Sequence, residues 1–129
     1  MSDILGNKTN FNRITEDGMA KSYIDVTSED FTEKVLHAPQ LAIVNFSANQ
    51  AGASQILEPE FEAVSKEYQG RALFAKLDVT GDEEITKQWN IEGVPTLVFF
   101  KSGQEIYRIK GIMMRDKLRR QIEGALLAN

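Results

Sequence analysis

Three short and nearly continuous apolar runs constrain the fold of this chain more than any other feature of its sequence. They are LAIVNF at 41–46, ALFAKLD at 72–78 and TLVFFK at 96–101. A strand that is covered on both faces has this pattern, because a half-buried strand would alternate apolar and polar residues. The runs therefore predict the central strands of a sheet that has helices packed on both faces.

Segments with helical periodicity separate these runs. After the first run, apolar residues recur at spacings of four, three and four, at Leu57, Phe61, Val64 and Tyr68. This pattern predicts a helix over 52–68, which Pro59 should kink because its ring removes an amide donor. Three further helices are predicted, at 27–36, 82–89 and 115–127. The first of them begins with a capping box formed by Thr27 and Asp30.

Two more strands complete the pattern. A short edge strand is expected at 23–26, and a strand at 104–110 follows TLVFFK through Ser102-Gly103, a two-residue hairpin signal. The order of elements predicts an α/β fold with a mixed central sheet, in which parallel crossovers precede a C-terminal antiparallel hairpin. Residues 1–22 lack sustained periodicity, so we expect a loose extension there and one domain over 23–129.

Composition argues against several classes of function. The net charge of −4 and the pI near 5.0 argue against binding to nucleic acid or to an anionic membrane surface. No apolar run is long enough to span a bilayer and the first residues lack the pattern of a signal peptide, so we expect a cytoplasmic protein. With no cysteine and one histidine, His37, the sequence suggests neither a metal site nor a cofactor.

Two segments and one glycine carry a resemblance to a known family. They are IVNFSANQAGASQILEP, AKLDVTGDEEITKQWNIEGVPTLVFFKSGQ and the Gly111 that follows the last strand. On these residues the chain resembles the thioredoxin family over residues 23–128. The most specific part is Gly93-Val94-Pro95-Thr96, since that family has a cis peptide bond before this proline, beside its active site. The resemblance implies the thioredoxin fold and a cis bond between Val94 and Pro95.

The family's active-site pattern, Phe-Trp-Ala-x-Trp-Cys-Gly-Pro-Cys-Lys, aligns with FSANQAGASQ at 46–55. Ala51 stands in place of the attacking cysteine, Ser54 in place of the resolving cysteine and Ala53 in place of the proline, while Gly52 matches. Asn45 replaces the buried aspartate that assists proton transfer in the family. Thiol-disulfide exchange requires a thiolate and a second thiol, so the chain as written is not expected to be an enzyme.

Polar side chains near the motif are not expected to supply other chemistry. Ser54 would need a general base, and the family geometry places none beside it, so we expect a first-turn residue that hydrogen-bonds locally. Lys76 is expected to pack its stem and extend its ammonium to water.

Met113 and Met114 are expected to cover the start of the last helix; the alternative is an exposed apolar run beside the motif. Trp89 is expected to pack in or beside the core.

The missing cysteines have two possible explanations. They were lost naturally, or they were replaced deliberately to silence a redox protein. Replacement of two cysteines would not need the further departures from the family pattern, at Asn45, Ser47, Gln50, Ala53 and Gln55. The sequence therefore favours natural loss.

The resulting hypothesis is a redox-inactive module of the thioredoxin fold that binds a protein or peptide, as an adaptor, scaffold or holdase. Extended peptides can pair with main-chain groups at such a site. The resemblance implies that the binding positions are Gln50, Ala51, Gly52, Ala53, Ser54, Val94, Pro95, Thr96, Gly111 and Ile112. One alternative is a protein disulfide reductase, serving cell redox homeostasis, whose cysteines were replaced. Another is a structural subunit that docks through residues 1–22.

Overall fold

A computed structural model describes residues 21–128. The extension predicted at 1–22 lies outside the described residues, apart from Lys21 and Ser22. The described chain forms, in order, β1 (Ile24–Val26), α1 (Thr32–Leu36), β2 (Leu41–Ser47), α2 (Gly52–Glu67), β3 (Ala72–Asp78), α3 (Glu83–Gln88), β4 (Thr96–Lys101), β5 (Gln104–Lys110) and α4 (Arg115–Leu127). Among these helices, none has the length and apolar character that crossing a membrane would require.

The five strands form one mixed sheet in the order β1-β3-β2-β4-β5. Strand β3 runs parallel to both β1 and β2, whereas β4 runs antiparallel to both β2 and β5. The predicted α/β fold, with parallel crossovers and a C-terminal antiparallel hairpin, is confirmed. In the hairpin, Ser102 and Gly103 have φ of 52° and 80°. A two-residue turn of this kind needs positive φ at both positions, as the sequence signal implied.

Two apolar cores, one on each face of the sheet, hold the helices in place. Neighbouring residues of β2 alternate between them: Ile43 points into one core and Val44 into the other. Helices α2 and α4 cover the first core through Leu57, Phe61, Val64, Leu118 and Ile122. Helices α1 and α3 cover the second through Phe31, Val35 and Ile85. Burial on both faces explains why the strand sequences are nearly continuous apolar runs.

Helix α1 begins later than the sequence predicts. The prediction placed its start near Thr27, but the structure has a turn there and regular helix only from Thr32. The Asp30 carboxylate accepts hydrogen bonds from the backbone N–H and the hydroxyl of Thr27, at 2.7 and 3.2 Å. These bonds use the Thr27 hydroxyl as a donor, whereas a capping box would use it as the acceptor for a helix amide.

Ion pairs join the exposed sides of α2 and α4. Glu60 contacts Arg115 at 3.0 Å and Glu67 contacts Arg119 at 2.7 Å. The hydrogen bonds from these arginine side chains hold the pKa of both carboxyls below the ordinary value of 4.5. A carboxyl with a lowered folded-state pKa stabilises the fold above its unfolded pKa, and this stabilisation is lost as the pH falls through the folded value.

Acidification should therefore weaken the fold partly through these carboxylates. We expect the free energy of unfolding to fall as the pH drops below about 4.5, and to fall less in Glu67→Gln, which has one titrating carboxyl fewer. Urea unfolding at a series of pH values between 7 and 3 measures this difference. The control is Glu33→Gln in α1, because Glu33 is exposed and pairs with no cation within residues 21–128. Equal acid sensitivity of Glu67→Gln and the unmodified protein would contradict the prediction.

Candidate functional site

Three loops meet at one edge of the sheet. Phe46 near the end of β2 pairs with Thr96 at the start of β4, and Thr96 pairs with Lys110 at the end of β5. The segments that precede α2, precede β4 and follow β5 are therefore neighbours. The N–H of Gly111 donates to the carbonyl of Pro95 at 2.8 Å, which joins two of these segments directly. The structure thus brings together the segments that the sequence selected as a peptide-binding site.

The segment before α2 places a methyl group where the resemblance places an attacking thiol. Ala51 is the N-cap residue of α2, with extended φ and ψ of −78° and 131°, and its side chain makes no capping hydrogen bond. Its N–H donates to the carbonyl of Ala48 at 2.9 Å. Gln50 and Gly52 are exposed on either side. The start of a long helix is therefore presented at the surface without any nucleophile at its N-cap.

Ser54 is buried in the first turn of α2. Its Oγ accepts a hydrogen bond from the backbone N–H of Ala48 at 3.2 Å. No hydrogen bond to a carboxylate or imidazole activates its hydroxyl within the described residues. The prediction of a locally hydrogen-bonded serine is confirmed, and this arrangement provides no base for covalent catalysis.

The segment before β4 has free backbone groups beside the start of α2. The peptide bond between Val94 and Pro95 is cis. Gly93 is fixed by a hydrogen bond of 2.6 Å from the Thr96 hydroxyl to its carbonyl. Within residues 21–128, neither the N–H nor the C=O of Val94 has a hydrogen-bond partner, and Val94 is only half-buried. A donor and an acceptor on one residue are therefore available at this edge of the sheet.

A neutral amide lies beneath the start of α2. Asn45 is fully buried in β2, and neither Nδ2 nor Oδ1 has a partner within the described part of the chain. The same is true of the Ser47 hydroxyl, two residues further along the strand. Buried polar groups in proteins are normally hydrogen-bonded, so these atoms are a local cost to stability. The sequence indicated an uncharged residue at this position but gave no sign that it would lack partners.

Lys76 packs its stem, as expected, but its ammonium is bound to a carboxylate that the sequence did not indicate. It pairs with Asn45 in the register of β2 and β3, and its side chain is 16% exposed. Its Nζ lies 2.9 Å from Oε1 of Glu58 in α2, and the Tyr23 hydroxyl donates to the same carboxylate. Burial, followed by the hydrogen bond to Glu58, raises the pKa of the Tyr23 hydroxyl. The carboxylate pairs with the ammonium, which explains why most of this lysine side chain can be buried.

A pocket with a volume of about 270 Å³ opens beside this ion pair. It is lined by Asn49, Ser54, Gln55, Glu58, Pro59 and Lys76. The signal for Glu58 was present in the sequence, because it follows Ser54 by four residues and so lies one turn further along the same helix face. Its partner could not be predicted, since Lys76 is 18 residues away in another element.

The two methionines before α4 differ in their surroundings. Met113 is 7% exposed and belongs to the core under α2 and α4, whereas Met114 is 56% exposed. The expectation that they cover the start of α4 is correct for Met113 alone. Ile112 is also exposed and lies next to Gly111.

Trp89 packs against Phe31 and Phe100, with ring centroids 5.6 and 5.1 Å apart, as expected of a residue at the edge of the core.

The edge described above presents main-chain donors and acceptors, and no thiol lies among them. The whole sequence contains no cysteine, so no thiolate can form at the start of α2. Within residues 21–128, no three histidine, aspartate or glutamate side chains are grouped to hold a metal ion. What the arrangement offers chemically is a set of main-chain donors and acceptors, with small side chains around them.

Comparison with known proteins relates this chain to one family. A family model described as Thioredoxin matches residues 22–124. The protein named Probable thioredoxin-2 from Caenorhabditis elegans is 37% identical over 108 residues, which are 83% of this chain and 74% of that protein. Thioredoxin C-2 from Corynebacterium nephridii is 32% identical over 100 residues, covering 78% of this chain and 93% of that protein. Thioredoxin from Chlorobaculum thiosulfatiphilum is 27% identical over 104 residues, covering 81% and 96%.

These similarities extend over the same region that forms the sheet, the helices and the three loops. They agree with the mixed sheet that the described residues form. The chain therefore belongs to the thioredoxin family, and it does so without the Cys-x-x-Cys pair of that family's active site.

Proposed function

We propose that this protein is a redox-inactive member of its family that binds an extended segment of a protein or peptide, and so acts as an adaptor, scaffold or holdase. The observation that carries the proposal is that the N–H and C=O of Val94 have no hydrogen-bond partner within residues 21–128, in a segment that neighbours the start of α2, where no thiol is present. An extended peptide can pair with both groups, as a strand pairs with the edge of a sheet. A cytosolic location, as the sequence suggests, is part of this proposal.

The side chains around Val94 suggest what kind of segment would bind. Those at 50–54 are small or uncharged, and Ile112 adds an exposed apolar group. Two charges in the neighbouring segments are paired, since Glu92 contacts Lys110 at 2.6 Å. Such a surface supports recognition of the peptide backbone and of apolar side chains, with little dependence on charge.

A second candidate function is disulfide reduction by a form of this protein that carries the two cysteines. It is favoured by the relatives, which are named thioredoxins, and by the position of Ala51 and Ser54 at the start of a 16-residue helix. The start of such a helix favours a thiolate over a thiol. Unlike the first candidate, this function requires residues that the sequence does not contain.

Blocking the site with a side chain tests the binding proposal. Gly52 is exposed at the first position of α2, and a Cβ atom there would meet nothing within 4 Å. Gly52→Leu should therefore leave the fold intact and weaken binding of a peptide selected by phage display by about tenfold, because leucine would add bulk at a position where the peptide is proposed to bind. Fluorescence polarisation with the labelled peptide measures the affinity.

The matched control is Gly124→Leu, which adds the same side chain to an exposed glycine of α4 that also has open space around it. We expect this variant to bind as tightly as the unmodified protein. If no selected peptide binds, or if both leucine variants bind as well as the unmodified protein, the proposed site is wrong.

Introducing cysteines at positions 51 and 54 distinguishes the two candidate functions. The unmodified protein should not reduce insulin above the blank, since it has no thiol. Ala51→Cys with Ser54→Cys should form a reversible disulfide and reduce insulin slowly, because Asn45 cannot take a proton from the second thiol. Adding Asn45→Asp should raise the rate. Turnover is followed with a dithiol regenerating system.

The comparison is between the double variant and an unmodified thioredoxin that has its cysteines. Equal turnover by the two would mean that the other substitutions around the motif do not matter for redox chemistry. That result would support the second candidate function over the first.

A further inference from the structure

Helix α4 begins without a capping side chain of its own. Met114 is the N-cap residue, with extended φ and ψ of −75° and 159°, and it makes no side-chain capping bond. The first amides of a helix have no partner within the helix, and a polar residue at the N-cap usually accepts from one of them. A methionine cannot do this, so α4 depends on another part of the chain.

An acceptor for one of these amides comes from α2. Oε1 of Glu60 accepts the backbone N–H of Arg115 at 2.9 Å, which is the first amide of α4. The same carboxylate accepts from the Arg115 side chain, from Nε to Oε1 at 3.1 Å and from Nη2 to Oε2 at 3.0 Å. The Glu60 side chain is 12% exposed. One carboxylate therefore holds both the main chain and the side chain of the residue that starts α4.

The neighbouring ion pair between the same helices is of a different kind. Glu67 of α2 binds Nε and Nη2 of Arg119, at 2.7 Å each, but contacts no backbone group of α4. It links two side chains on the exposed side of the helices. Within residues 21–128, Glu60 is the α2 residue whose side chain binds the main chain of α4.

These contacts hold the segment 111–114 at both ends. At one end the N–H of Gly111 is bonded to Pro95, beside Val94. At the other end Arg115 is bonded to Glu60, two turns along the helix that begins at Gly52. Met113 is buried between the two ends. The position of Gly111 and Ile112 relative to the start of α2 is therefore set by two hydrogen-bonded anchors, Gly111 and Arg115, that lie four residues apart.

We propose that Glu60 is a positioning residue of the candidate peptide site: by capping α4 from α2, it fixes the segment 111–114 against the helix start that forms the other side of the site. The proposal rests on the proposed peptide-binding function for its effect on affinity. The capping role itself can be measured without any peptide. Glu60 does not touch the peptide and acts through Arg115.

Truncation of two α2 glutamates tests this role. Glu60→Ala should make the Arg115 amide exchange with solvent about tenfold faster, and should weaken binding of the selected peptide about fivefold. Glu67→Ala removes an ion pair between the same two helices and should change neither quantity. Amide exchange is measured by NMR for Gly111 to Arg115, and affinity by fluorescence polarisation. Glu60→Gln should restore slow exchange and most of the affinity, because its Oε1 still accepts the amide.

The outcomes separate the capping role from the binding function. Unchanged exchange of the Arg115 amide in Glu60→Ala, or equal losses of affinity in Glu60→Ala and Glu67→Ala, would overturn the proposal. So would failure of Glu60→Gln to restore slow exchange in a folded protein. If the unmodified protein binds no peptide, the proposed function fails, and the exchange measurements alone decide whether Glu60 holds the segment.

Discussion

Burial of β2 on both faces is the constraint on which the rest of the structure depends. All seven residues of this strand are buried, and its apolar residues alternate between the two apolar cores. A strand covered on two sides needs helices on both, which the crossover from β2 through α2 to β3 begins to supply. The chain leaves β2 at Ser47 and enters α2 at Gly52, so the helix start must lie at the edge of the sheet. The position of the candidate site follows from this path.

Features that depend on local pattern or on burial could be predicted from the sequence. The bounds of β3, β4, β5 and α4 agree with the prediction, because continuous apolar runs, a hairpin turn and helical spacing mark them directly. The start of α1 was predicted too early, since Thr27 and Asp30 can form a local turn as well as a helix cap. Local sequence does not decide between two structures that use the same side chains.

The contacts that shape the site could not be predicted, because they join distant parts of the chain. Glu58 and Lys76 are 18 residues apart, and Glu60 and Arg115 are 55 residues apart. The spacing from Ser54 places Glu58 on the helix face beside the motif, but nothing in the sequence identifies the partner of either glutamate. The same holds for Asn45: the resemblance identified its place in the fold, but its lack of partners depends on the side chains that surround it in three dimensions.

The ion pair between Glu58 and Lys76 also bears on which residues position 45 can accept. An acid at position 45 would place a second carboxylate beside a single ammonium, in a layer where Asn45 is now fully buried. Each carboxylate would then disfavour the charged form of the other. The charge of residue 58 therefore sets the cost of an acid at position 45. With Glu58 in place the two carboxylates would share one ammonium, whereas with a neutral residue at 58 the ammonium of Lys76 would have only the acid at 45 to neutralise.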